Sequence, residues 1–147
     1  MEGTRGIPVA IHMETTIRDG VHKESNELSA TGLLFKRGVT TFVRFEEPVE
    51  DDGRATMQTL KIQENEMSVS RKGALTMNQR FIPGTVTEGM FHSPYGQMAM
   101  RTDTKDMDFQ WNELLKVGTL RLRYSLHLQG SIAGDYDMHV TIREVSG

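Results

Sequence analysis

Residues 119–144 read TLRLRYSLHLQ, then GSIAG, then DYDMHVTIRE, and their alternation decides the fold class. On the first arm Leu120, Leu122, Tyr124, Leu126 and Leu128 alternate with polar residues, and on the second Tyr136, Met138, Val140 and Ile142 do the same. A period of two sends successive side chains to opposite faces of a strand, so the arms form a ribbon with one apolar and one wet face. Both apolar sets must land on one side, which requires an even pairing sum. Placing Leu126 opposite Tyr136 satisfies this, and also sets Tyr124 against Met138 and His127 against Asp135. A clean two-residue turn at Gln129-Gly130 gives the wrong parity. The sequence therefore predicts either a longer GSIAG loop or a tight turn followed by a bulge near Gly134, where glycine tolerates positive φ.

The same rhythm runs outward through the chain. Met1 to Pro8 reads as a flexible N-terminal arm, and residues 9–147 read as one domain. Val9, Ile11, Met13, Thr15 and Ile17 alternate with Ala10, His12, Glu14, Thr16 and Arg18, up to a turn at Asp19-Gly20. The return arm VHKESNELSATG is an exposed strand or irregular edge, followed by a hairpin from Leu33 to Glu46 about Arg37-Gly38 and a charged loop over Pro48 to Arg54. Further short strands follow over Ala55–Gln63, Met67–Arg71, Ala74–Phe81, Val86–His92 and Gln97–Thr104, and one carries Met107, Phe109 and Trp111. Only NELLKVG, Asn112 to Gly118, has a helical option, of a turn or two. About ten strands joined by tight turns predict an all-β antiparallel meander that closes into a barrel of eight to ten strands, because closure removes exposed edges. A two-sheet sandwich is the alternative.

Composition narrows the function classes. The chain has 147 residues, 37% of them hydrophobic, and a formal charge of -3, so it suits one domain and carries no overall basic footprint for nucleic acid. It has no cysteine, hence no disulfide framework, thiol nucleophile or Cys-based metal site. The first residues lack an apolar run of signal-peptide or membrane-span length, and a cytoplasmic protein is expected.

The runs RKGALTMNQRFIPG (Arg71 to Gly84) and FHSPYGQMAMRTDT (Phe91 to Thr104), together with the closing hairpin, resemble the YwiB-like proteins of Bacillus-type bacteria. The resemblance covers nearly the whole chain in the same order, and MNQRF after a charged-Gly turn is its most distinctive piece. It implies a calycin-type, lipocalin-like β-barrel in the cytoplasm, and it supplies no activity or catalytic residue. NELLKVG is more apolar than the acidic turn such proteins would have there.

The residues themselves argue against several chemistries. His12, His22, His92, His127 and His139 form no HxH or HExxH pattern, so they read as surface histidines and no metal site is expected. His92 shares parity with Val86 and Met90, which allows it to point into the barrel. There is no GxSxG and no phosphate cradle. Asp103, Asp106 and Asp108 lack the glycine and terminal glutamate of a calcium loop and read as a solvated edge. Arg121, Arg123 and Arg143 lie among Asp135, Asp137 and Glu144, as cross-strand ion pairs rather than phosphate contacts.

What remains is the barrel interior, which at this strand number holds either side chains or one small ligand. Polar residues on apolar faces, at Thr15, Gln79 and Thr102, are the kind a ligand site needs, although they could equally satisfy one another. The sequence predicts a non-enzymatic protein, without cofactor, that binds a small apolar molecule inside. Arg44, Gln79, Tyr124 and Tyr136 would orient that molecule, and Met77, Met98, Met100 and Met138 would line the wall. The alternative is a solid barrel that docks a protein partner through Leu114, Leu115 and Val117. Neither version involves nucleic acid or a membrane, and each suits a monomer or homodimer.

Overall fold

The computed structural model describes residues 6–48 and 55–145. Ten strands follow one another: β1 (Ile7–Asp19), β2 (His22–Arg37), β3 (Thr40–Glu46), β4 (Thr56–Ile62), β5 (Met67–Gly73), β6 (Thr76–Phe81), β7 (Val86–Ser93), β8 (Gly96–Asn112), β9 (Val117–Leu128) and β10 (Ser131–Glu144). Each pairs antiparallel with its sequence neighbours, and β1 pairs with β10, so the meander closes into a barrel. The described residues contain no helix. Within NELLKVG, residues 113–116 are the turn between β8 and β9, with Lys116 at φ 57, and Asn112, Val117 and Gly118 are strand residues.

The closing hairpin takes the tight-turn option. Gln129 and Gly130 have φ 54 and 81 and join Leu128 directly to Ser131. The ladder then slips between Ile132 and Gly134, and Gly134 sits at φ 142. A Cβ there would lie 2.8 Å from the Arg18 carbonyl oxygen, so close packing against β1 also demands glycine. The slip restores even parity, but it does so two residues from the expected register. Tyr136 faces Tyr124 rather than Leu126, and Ser125 rather than His127 faces Asp135.

Two strands are longer than their alternation suggests. The polar return arm and Leu33–Lys36 are one continuous strand, β2, paired with β1 from His22 to Leu34. Likewise Gln97–Thr104 and Met107–Trp111 are one strand, β8, with a bulge at Lys105 between Thr104 and Asp106. One extra residue reverses the facing of everything beyond it. Met98, Met100, Thr102 and Thr104 therefore point inward from even positions, and Met107, Phe109 and Trp111 from odd ones. Ile7 and Pro8, read from the sequence as part of the N-terminal arm, belong to β1: they pair with Leu34 and Leu33, and Pro8 accepts a bond from the Val145 amide. The loop expected over Pro48 to Arg54 falls mostly outside the described residues.

The barrel interior is the core. Val9, Ile11, Leu34, Val43, Phe45, Leu60, Ile62, Met67, Phe81, Leu120, Leu122, Val140 and Ile142 are all buried there. At the β8–β9 end Trp111 packs against this core, with the Lys36 ammonium 5.1 Å from its ring centre and 3.9 Å from Glu113. Gly118 makes room for it, since a Cβ would meet the indole at 2.7 Å. Leu114 and Leu115 at the turn tip point away, 95% and 71% exposed, and Val117 belongs to the β8–β9 ladder.

Candidate functional site

The interior holds most of the residues expected to bind a ligand, and it holds them against one another. Met77, Gln79, Met100 and Tyr124 are buried, Tyr136 and Met138 are half-buried and packed on the core, and Met98 is half-buried. Met77, Phe91 and Met98 form one row across β6, β7 and β8. Ile17, Tyr136, Tyr124 and Thr104 form another across β1, β10, β9 and β8. The Tyr124 ring stacks on Tyr136 at 4.9 Å and tilts against Phe81 at 4.8 Å. Burial, aided by Tyr136, pushes the Tyr124 hydroxyl far above its ordinary pKa, so it stays neutral. Burial, followed by Glu24, raises that of Tyr136. The Gln79 amide donates to the Thr102 hydroxyl at 3.0 Å. The buried Thr104 hydroxyl has no partner among the described residues. The Gln79 amide is thereby engaged inside the barrel, and the two tyrosine rings pack on each other and on Phe81.

Two expected placements are wrong. Arg44 lies on the outer face of β3, because Thr41, Val43 and Phe45 are the buried set of that strand. The segment TTFVRFE carries aromatic residues on both parities, and Val43 with Phe45 outbids Phe42. His92 also faces outward with Val86 and Met90, since Phe91, the partner of Met77, takes the inward side of β7.

One polar cluster inside the barrel was not foreseen. Glu47, just past β3, reaches the inward Arg71 of β5 through two bonds, Nε to Oε2 at 2.7 Å and Nη2 to Oε1 at 2.8 Å. Gln58 of β4 donates a third to Oε2 at 2.7 Å. Burial pushes the Glu47 carboxyl up, but the Arg71 and Gln58 bonds and the Arg71 charge outweigh it and hold the group below its ordinary value. The cluster ties three strand ends together where apolar filling stops. Its signal in the sequence was parity: Arg71 continues the inward set Met67 and Val69.

A concavity also lies outside the barrel. A groove of about 590 Å³ runs over the outer faces of β2 to β5, lined by Phe35, Arg37, Phe42, Arg44, Met57, Thr59, Lys61, Ser68, Ser70 and Lys72. Phe35 and Phe42 are direct cross-strand partners and form its floor, with Met57 alongside. Arg37, Arg44, Lys61 and Lys72 are its charged side chains, and its lining contains no carboxylate. Glu46 shares this outer face beside Arg44 but does not line the groove. Among the described residues none of the four cations enters an ion pair. An apolar floor with a few charged groups of one sign can hold an anion that has a flat or apolar body.

Comparison with known proteins agrees with the fold. The model of the family described as a domain of unknown function, DUF1934, matches residues 11–140. The uncharacterized beta-barrel protein YwiB of Bacillus subtilis is 27% identical over 133 residues, covering 90% of this chain and 87% of that protein. The crystal structure of ywiB protein from Bacillus subtilis superposes with a TM-score of 0.83 at 26% identity, over 96% of this chain and 94% of that one.

Proposed function

The chain belongs to the DUF1934 family, and we propose that it is a non-enzymatic cytoplasmic barrel that binds a small organic anion in the groove on β2–β5. The observation that carries this reading is the gathering of Arg37, Arg44, Lys61 and Lys72 around the Phe35–Phe42 floor. The groove's volume of about 590 Å³ falls within the usual size of small-molecule sites, about 300–1,000 Å³. The ligand is thus moved from the inside, where Gln79 and the tyrosines bond and stack with their neighbours, to the outside. Arg44 keeps the ligand-orienting role expected of it, from the other face of its strand. The barrel is apolar within and charged without, the reverse of a membrane barrel, which supports an aqueous setting. A protein partner docked on Leu114 and Leu115 is the weaker reading, resting on exposure alone.

The test is titration with the aromatic anion anilinonaphthalene sulfonate, followed by fluorescence and by backbone amide shifts. One saturable site should map to β2–β5. Arg44→Glu with Lys61→Glu should weaken it at least tenfold, since each charge-assisted contact contributes about 1.5–3 kcal/mol before screening. Arg121→Glu on the far wall should leave it unchanged. Equal affinity in the double variant would sink the proposal. So would a single-stranded oligothymidylate that binds β2–β5 more tightly than the aromatic anion, since the groove would then serve nucleic acid.

A further inference from the structure

A second constellation lies on the outer face of β1 and β2, away from the groove. His12 and Glu14 stand two apart on the wet face of β1, so both point the same way. The two-residue turn after Asp19 fixes the β1–β2 register, and that register sets Glu14 directly opposite Glu27 and His12 opposite Ser29. The His12 Nε2 lies 3.2 Å from Glu27 Oε1 and 3.7 Å from Glu14 Oε2, and one ligand atom from each of the three residues lies within 4.8 Å of the others. We propose that His12, Glu14 and Glu27 bind one divalent transition-metal cation.

Three physical points carry this. Ligand atoms held about 2.1 Å from a tetrahedral ion lie about 3.4 Å from one another, and the His12–Glu27 and His12–Glu14 distances bracket that spacing. Two glutamates directly opposed across a ladder repel one another, and a shared cation converts that repulsion into coordination. The imidazole is also oriented. Its Nδ1 lies 3.0 Å from the Ser29 hydroxyl, which leaves Nε2 to face the carboxylates, the arrangement that an outer partner gives a metal-bound histidine.

One imidazole and two carboxylates favour zinc or manganese over the all-oxygen sites preferred by calcium and magnesium. His139 faces Glu14 from β10, but its Nε2 lies 3.4 Å from Asp137, so it is not counted among the ligands. Further outward charges near this patch are Arg143, opposite Ala10, and Arg121, opposite His139 and paired with Asp137.

Calorimetric titration of the chelator-treated chain with Zn²⁺, and separately with Mn²⁺, tests the site. Zn²⁺ should bind one to one. His12→Ala and Glu27→Gln should each weaken it at least tenfold, while His139→Ala and Arg44→Glu should not. The substituted side chains are exposed, and unchanged thermal unfolding without metal will show that each variant is folded. A rise in the unfolding midpoint with Zn²⁺ in the wild type, absent in His12→Ala, is the second expected readout. No one-to-one binding of either ion, or equal Zn²⁺ binding by wild type and His12→Ala, would overturn the proposal.

Discussion

On the outer face of β8, β9 and β10, Arg121 bonds Asp137 and Arg123 bonds Asp106, while the Ser125 hydroxyl donates to Asp135. On the outer face of β2 to β5, Arg37, Arg44, Lys61 and Lys72 surround two phenylalanines with no such partners among the described residues. Both walls obey the same alternation, wet side out. On the first, Arg121 and Arg123 each meet a carboxylate supplied by a neighbouring strand. On the second, four strands supply cations and aromatic carbon, and the complement must come from elsewhere. Countercharge, rather than the amount of charge, separates an inert barrel wall from one fitted to a ligand.

The largest effect that bears on this contrast comes from beneath the paired wall. Leu122 is fully buried under β8–β10, and Leu122→Ala should cost about 3 kcal/mol in urea unfolding, within the range for buried leucine truncation. Phe42→Ser on the groove floor should cost well under half of that and should abolish binding of the aromatic anion. If the two substitutions destabilise equally, Phe42 is structural and the contrast between the walls collapses.

Next in size is the ion pair behind the groove. Arg71 and Glu47 are 24% and 14% exposed, so removing one partner strands a mostly desolvated charge. Arg71→Met should cost about 2–3 kcal/mol at neutral pH, below the figure for a fully buried pair. The Glu47 carboxyl is depressed in the folded state, so its contribution is present above its ordinary value of 4.5 and is lost as pH falls through the folded value. The gap between wild type and Arg71→Met should therefore narrow below about pH 4.5. A gap that is flat from neutral pH to well below 4.5 would show that Arg71 acts by packing rather than by charge.

How far these walls could be read in the sequence depends on how many registers each needs. The final hairpin carries its own parity, and TLRLRYSLHLQ with DYDMHVTIRE requires either a longer loop or a bulge near Gly134. Parity cannot choose between registers two apart, and the Gln129-Gly130 turn with the slip before Gly134 sets Tyr136 on Tyr124. The residues RTDTKDMDFQ hide one strand as two, because Lys105 bulges out and the inward phase reverses. Arg44 shares a face with Phe42, which suggests the inside, but Val43 and Phe45 take the inward side of that strand. The groove needs β2, β3, β4 and β5 all in register before Arg37, Lys61 and Lys72 meet Arg44, and no local pattern shows that. His12 and Glu14 were visible as one wet face, but Glu27 joins them only once the Asp19-Gly20 turn sets the pairing.

The smallest effect is the most discriminating, because it turns on sign. Both Arg121 and Arg123 have raised pKa values, caused first by their aspartate hydrogen bonds, and Asp106 and Asp137 are correspondingly lowered. Neutralising Arg123 as Arg123→Gln leaves Asp106 without its partner and should lower the thermal midpoint slightly at low salt. Neutralising two groove cations, Arg44→Gln with Lys61→Gln, removes repulsion among like charges and should raise it slightly. Both shifts should fade as salt shortens the screening length from about 30 Å at 0.01 M to about 8 Å at physiological strength. A fall in midpoint for the groove variant would mean that those cations already have carboxylate partners in the folded chain. In that case the groove is a second completed wall, with no charge left to attract an anion.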